Sequence, residues 1–302
     1  MKDADLLREL EPTGERLLAR HLATAKEWFP HEFVPWSRGR DFVPGEPFDP
    51  DGSTIPAGVR SALLVNLLTE DNLPHYYRTI VSHFGPGSVW GEWNRRWTAE
   101  EGRHSIVIRD YLTVTRSIDL YALERARMAQ VSSGKVPDPP SIADGIVYVA
   151  LQELATRIAH RNTGKLLDDP AGEAVMSRVA ADENLHHIFY RDLVADALEI
   201  DPSGMVAAID RQVRHFEMPG AGIPDFATHA RAIADIGVYD FASHHDRILV
   251  PVVVKHWRVP QLQNLKSAAE QARDRMMRHI ERLDQAAKRL VARRARRTAP
   301  AV

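Results

Sequence analysis

The chain has 302 residues, 44% hydrophobic and 26% charged, which suffices for a large core in a globular protein. Lys and Arg number 39 against 41 Asp and Glu, a formal net charge of −2 that argues against nucleic-acid binding driven by overall charge. With no cysteine, disulfides, thiolate metal sites and cysteine nucleophiles are excluded, so any metal must be held by His and carboxylates.

The N-terminus shows no apolar run followed by a small-residue cleavage site. The longest apolar stretches, such as Ile248 to Val254, are too short to span a bilayer, and a cytoplasmic protein is expected. An amphipathic helix is predicted over 13–28. Residues 30–56 hold six prolines, a density that forbids a long helix and marks an irregular connection. Residues 57–84 carry Leu63, Leu64, Leu67, Leu68 and Leu73 at helical spacing and stop at Gly85-Pro86-Gly87. Helices are then expected over 88–115, 118–131, 141–165 and 170–198, with a shorter one opening at Asp201-Pro202. After a Gly/Pro loop at 220–224, two more are predicted, over 226–257 and 261–292. The segment KRLVARRARR (288–297) reads as a solvated helix end, and residues 288–302 as a flexible basic tail. No segment alternates as a strand. The expectation is a single all-α domain over 1–302, a four-helix bundle core with additional helices.

Four of these helical stretches each carry a conspicuous glutamate. Glu101 and His104 form a Glu-x-x-His pair, and Glu183 and His186 repeat it. Positions i and i+3 lie about 60° apart around a helix, so both side chains of a pair reach one point. A lone Glu precedes each pair: Glu70 by 31 residues and Glu153 by 30. Two Glu from two helices plus two Glu-x-x-His pairs from two others make the ligand set of a dinuclear carboxylate centre in a helix bundle. Carboxylates and imidazoles suit iron or manganese, and four ionised Glu neutralise two divalent cations. One Glu-x-x-His is weak evidence, since such pairs are common on exposed helices; two, each with its preceding Glu in an apolar stripe, are far stronger. Spacing alone does not separate iron from manganese.

At these residues the sequence resembles the soluble acyl-(acyl carrier protein), or acyl-ACP, desaturases of plants and actinobacteria. The matching segments are LLTEDNLP (67–74), WTAEEGRH (97–104), LQELATRIAHRNT (151–163), AADENLHHIFY (180–190) and EIDPSGMV (199–206), joined by EWFPHEFVP (27–35) and HWRV (256–259). The resemblance spans roughly residues 10–290. It implies a ferritin-like bundle holding two iron ions, with Glu70, Glu101 and His104 on one and Glu153, Glu183 and His186 completing the other. Glu101 and Glu183 match the bridging carboxylates. Thr156 matches a threonine near the oxygen-binding side; the residue-level alternative is a hydroxyl bonded to its own helix backbone. Trp28, Asp182 and His104 resemble residues proposed to carry electrons inward, and Asp182 would orient a ligand His. For Trp28 the alternative is a packing aromatic.

The implied reaction is O2-dependent desaturation of an acyl chain on ACP, with ferredoxin or a similar electron donor and a homodimeric enzyme. ACP is acidic, and Arg211 and Arg214 are candidates for its docking. Leu185 stands where the family often has Arg, and Asp71 where some relatives have a second Glu. Neither removes a ligand, but both caution against carrying over chain length or double-bond position. Two rivals stay open: another di-iron oxygenase, such as a hydroxylase or N-oxygenase, and a non-enzymatic ferritin-like iron-binding protein.

Overall fold

The computed structural model describes residues 1–49, 53, 55–220 and 222–298, with side chains described to residue 292. In chain order the helices are α1 (Asp3–Thr24), α2 (Ala57–Glu70), α3 (Leu73–Phe84), α4 (Ser88–Thr115), α5 (Leu120–Ser133), α6 (Ile142–Lys165), α7 (Pro170–Ile200), α8 (Pro202–His215), α9 (Phe226–Asp235), α10 (Phe241–His244) and α11 (Ser267–Thr298). A π-helix, His245–His256, follows α10 directly. Among the described residues there is no strand, and no helix is long and apolar enough to cross a membrane.

Local signals set several of the starts. The side chains of Asp119, Ser141, Asp169 and Asp201 each accept a backbone N–H in the first turn of α5, α6, α7 and α8, satisfying donors the helix leaves free. Pro170 and Pro202 occupy first-turn positions, where a missing N–H costs nothing.

The structure departs from the sequence-based expectation in three places. First, α1 begins ten residues earlier than predicted and runs through Pro12, because Leu6, Leu10, Leu17 and Leu18 form one buried face across it. It also ends at Thr24, so Trp28 lies in an extended segment. Second, the stretch 57–84 is two helices. Pro74 in the first turn of α3 starts a new helix. The break is tied to α5: Arg127 grips both oxygens of Asp71 at 2.7 and 2.9 Å, and Asn72 donates to the Lys135 carbonyl. Third, the stretch 226–257 divides into α9, α10 and the π-helix, which contains Pro251; a proline there cannot continue an α-helical ladder. The last helix α11 extends through the whole basic segment 288–297, and residues 299–302 of the expected tail lie outside the described residues.

Helices α2, α4, α6 and α7 form the bundle, with α6 and α7 packed along their length as a hairpin. Its interior holds two apolar clusters. One contains Trp93, Trp97, Leu151, Phe189 and Leu193; the other contains Leu63, Leu67, Val107, Ile108 and Val179. Along α4 and α7 the Glu-x-x-His residues fall between them, as Glu101 and His104 do between Trp97 and Val107. The bundle therefore carries a polar layer between two apolar ones.

Candidate metal centre

The six residues singled out by spacing converge. Glu70 ends α2, Glu101 and His104 lie mid-way along α4, Glu153 on α6, and Glu183 and His186 on α7. None is more than 6% exposed. They form two overlapping groups, Glu70–Glu101–His104–Glu183 and Glu101–Glu153–Glu183–His186, each with its ligand-type atoms within 4.8 Å of one another. Glu101 and Glu183 belong to both, as a pair of bridging carboxylates must.

His104 Nδ1 lies 3.2 Å from Glu101, 3.4 Å from Glu183 and 3.5 Å from Glu70. His186 Nδ1 lies 2.8 Å from Glu101 and 3.7 Å from Glu153. Yet Glu101 Oε1, His104 Nδ1, Glu153 Oε2 and His186 Nδ1 are fully buried and make no hydrogen bond. Buried polar atoms without partners are costly. Here they face one another from three helices in a hard-donor set, and cations at the two foci would satisfy them.

The electrostatics agree. Burial, then the charge of Glu183, pushes the Glu153 carboxyl well above its usual range, and the same two causes raise Glu101. Burial also acts to raise Glu183, but its polar neighbours Glu153, His104 and His160 outweigh it and hold that carboxylate low. Burial disfavours the imidazolium forms of His104 and His186, but their surrounding carboxylates prevail and raise both. The same concentration of buried negative charge would favour bound cations.

Thr156 Oγ1 is 3.0 Å from Glu183 Oε2 and equally 3.0 Å from the Glu153 carbonyl, so its single proton chooses between the cluster and its own helix. Trp28 is buried and donates its indole N–H to Asp182 at 2.8 Å. Asp182 Oδ2 lies 3.5 Å from His104 Nε2, and the indole stacks on His104 at 6.5 Å between centroids. Of the arginines considered for docking, Arg211 is held by both oxygens of Asp144 and Arg214 by Asp210, so both are already engaged in ion pairs.

Three cavities share walls through the centre. A small one is lined by Glu70, Glu101, Glu183, Tyr76, Trp97 and Thr156. Tyr76 and Trp97 also line an apolar pocket formed with Ile80, Phe84, Ile142 and Gly145. On the other side Thr156 borders a second apolar pocket formed by Val65, Ala159, Phe226, Ile233 and Val238. A more polar cleft near Arg38, Arg116 and Asp169, past the C-terminal half of α4, contains none of the ligand set.

A family model described as fatty acid desaturase matches residues 2–301. The chain belongs to the fatty acid desaturase family. Among the relatives of this desaturase chain is the Mycobacterium tuberculosis protein named as acyl-ACP desaturase DesA1, 42% identical over 286 residues, which covers 91% of this chain and 84% of that one. A chloroplastic stearoyl-ACP 9-desaturase of Arabidopsis thaliana is 32% identical over 266 residues, covering 79% and 67%. The X-ray structure of DesA2 from Mycobacterium tuberculosis superposes with a TM-score of 0.72 at 28% identity, covering 89% of this chain and 99% of that one.

Sequence reasoning missed four residues of the desaturase centre. His160 Nε2 bonds Glu70 at 2.8 Å, and Trp97 donates to Glu153 at 3.1 Å. Glu100 accepts from His186 Nε2 and from His21 Nε2, both at 2.9 Å. One signal for Glu100 was available: Arg96, Glu100, Glu101 and His104 have the same spacing as Arg178, Asp182, Glu183 and His186. His21 lies 79 residues from Glu100 and has no such signal.

Proposed function

We propose that this chain desaturates a saturated fatty acyl chain carried on ACP, using two iron ions held by Glu70, Glu101, His104, Glu153, Glu183 and His186. The observation that carries this reading is the buried double cluster with two shared carboxylates, flanked on both sides by apolar cavities. When bound, reduced iron supplies the O2 chemistry needed to break unactivated C–H bonds. The overall balance is acyl chain, O2, two electrons and two protons giving the alkene and two waters.

The residues of this chain do the positioning. Glu101 and Glu183, common to both groups, would hold both ions, His104 and His186 would each offer Nδ1 to one, and Thr156 offers a hydroxyl proton at Glu183 on the cavity wall. Trp28 and Asp182 link the N-terminal segment to His104 as an electron path. Ile80, Phe84 and Ile142 exclude water from the distal chain and hold it straight. Reduced ferredoxin or a similar protein as donor, and a homodimeric assembly, complete the reading on the strength of the family resemblance.

The test is mass spectrometry of stearoyl-ACP after incubation with iron-loaded protein, O2 and reduced ferredoxin. Loss of two hydrogens supports desaturation. Gain of an oxygen would move the assignment to a hydroxylase, and an unchanged substrate with both irons bound would refute stearoyl-ACP as substrate.

A further inference from the structure

The two metal-facing histidines are braced by carboxylates from opposite helices. Asp182 of α7 stands behind His104 of α4, and Glu100 of α4 stands behind His186 of α7. Each carboxylate also pairs with the arginine four residues earlier, Arg178 or Arg96. Each is bonded by a ring from the N-terminal segment, Trp28 for Asp182 and His21 for Glu100. The centre thus has two related arms, one ending in an indole and one in an imidazole.

The arms differ in tightness. Asp182 lies 3.5 Å from His104 Nε2, too long for a good hydrogen bond, and divides its oxygens among Trp28, Arg103 and Arg178. Glu100 Oε2 lies 2.9 Å from both His186 Nε2 and His21 Nε2, while Oε1 takes Arg96 at 2.7 Å. A carboxylate only accepts, so both imidazoles donate Nε2–H to it. With Nε2 engaged in this way, His186 presents its Nδ1 to the cluster, 2.8 Å from Glu101. His21 is 5% exposed, lies edge-on to Trp93 at 5.0 Å and stacks on His186 at 5.9 Å, which fixes the angle of its donation.

We infer that His21 is a positioning residue for the metal centre: acting through Glu100, it fixes the ring orientation and tautomer of His186 and makes the metal site at His186 inequivalent to the one at His104. Outer carboxylates on a metal-bound imidazole fix its tautomer and raise its basicity, and losing such a partner typically lowers metal affinity 10–100-fold. This rests on the proposal that two iron ions occupy the cluster.

The experiment is ferrous iron titration of the full chain, with Mössbauer spectra of the 57Fe-loaded protein, for the wild type, His21→Leu, His21→Gln and Glu100→Gln. His21→Leu should weaken one of the two irons by about 10–100-fold and shift one quadrupole doublet while leaving the other. His21→Gln retains an N–H donor and should recover most of that loss. Glu100→Gln keeps the volume, removes the charge behind His186 and should shift the same doublet. Should His21→Leu fail to fold, the Glu100→Gln and His21→Gln pair still decides the matter: Glu100→Gln must shift one doublet and His21→Gln must stay near wild type. Unchanged doublets and affinities, or equal weakening of both irons, would overturn the inference. A wild-type chain that takes up fewer than two irons would instead sink the di-iron reading on which it rests.

Discussion

The indole N–H of Trp28 donates to Asp182 across 154 residues of sequence, at 2.8 Å. That bond joins an extended N-terminal segment to the carboxylate behind His104. Arg103 and Arg178 lie over the same indole, at 4.7 and 5.7 Å from the ring centroid, closing it between the two helices that carry the Glu-x-x-His pairs.

Trp28→Phe keeps most of the ring volume and deletes the donor. Iron content should stay at the wild-type level, while reduction by ferredoxin slows at least about tenfold, the loss expected for a barrier raised by one hydrogen bond of about 1.4 kcal/mol. Stopped-flow reduction by ferredoxin against a small chemical reductant separates the two. Equal slowing with both reductants would reject the electron-path role.

The shared and unshared glutamates should behave differently. Glu183 borders both ligand groups and Glu153 only one. Glu183→Ala should lose bound iron and activity together, whereas Glu153→Ala should retain one iron more readily than two. Iron per chain by plasma emission spectroscopy checks this, and wild-type iron in Glu183→Ala would end the ligand assignment.

Gly145 faces the apolar pocket beyond Trp97, and a Cβ there would meet Pro139 at 3.4 Å and Phe84 at 4.0 Å, ordinary contact distances. Gly145→Ala should therefore fold normally. Gly145→Leu should fill the pocket and shift preference towards shorter acyl chains, measured as kcat/KM for a series of acyl-ACP lengths. An unchanged length profile would show that this pocket does not receive the chain.

Two buried histidines that are not among the six ligand candidates make stability depend on pH. Burial lowers His187 to about 4, and burial followed by the charges of His245 and His279 lowers His244 to about 4. Below an ordinary histidine pKa of about 6.5 the unfolded chain takes up protons that the folded chain refuses. The stability tied to the neutral rings is complete above that value and is lost as pH falls towards 4, by at most about 3 kcal/mol for each. Thermal unfolding of His187→Gln should show a smaller loss of Tm between pH 7 and 5 than the wild type does. An identical loss would contradict this.

Much of the centre was legible in the amino-acid sequence because its information is local. Helical periodicity alone puts Glu101 beside His104 and Glu183 beside His186, and the near-equal intervals from Glu70 and Glu153 reveal the repeated order of a Glu followed by a Glu-x-x-His pair. The prolines of residues 30–56 announce an irregular connection for an equally local reason, the fixed φ and missing N–H of that residue.

Tertiary packing decided the rest. Pro12 signals a helix boundary, yet burial of Leu6 and Leu10 keeps α1 intact. Asp71 is held by Arg127 of α5, which pins the break between α2 and α3. Arg211 and Arg214 look like free cations in sequence, but Asp144 and Asp210 meet them in space. His21 and His160 join the centre only because helices far apart in sequence cross at one level, and neither periodicity nor composition encodes that crossing.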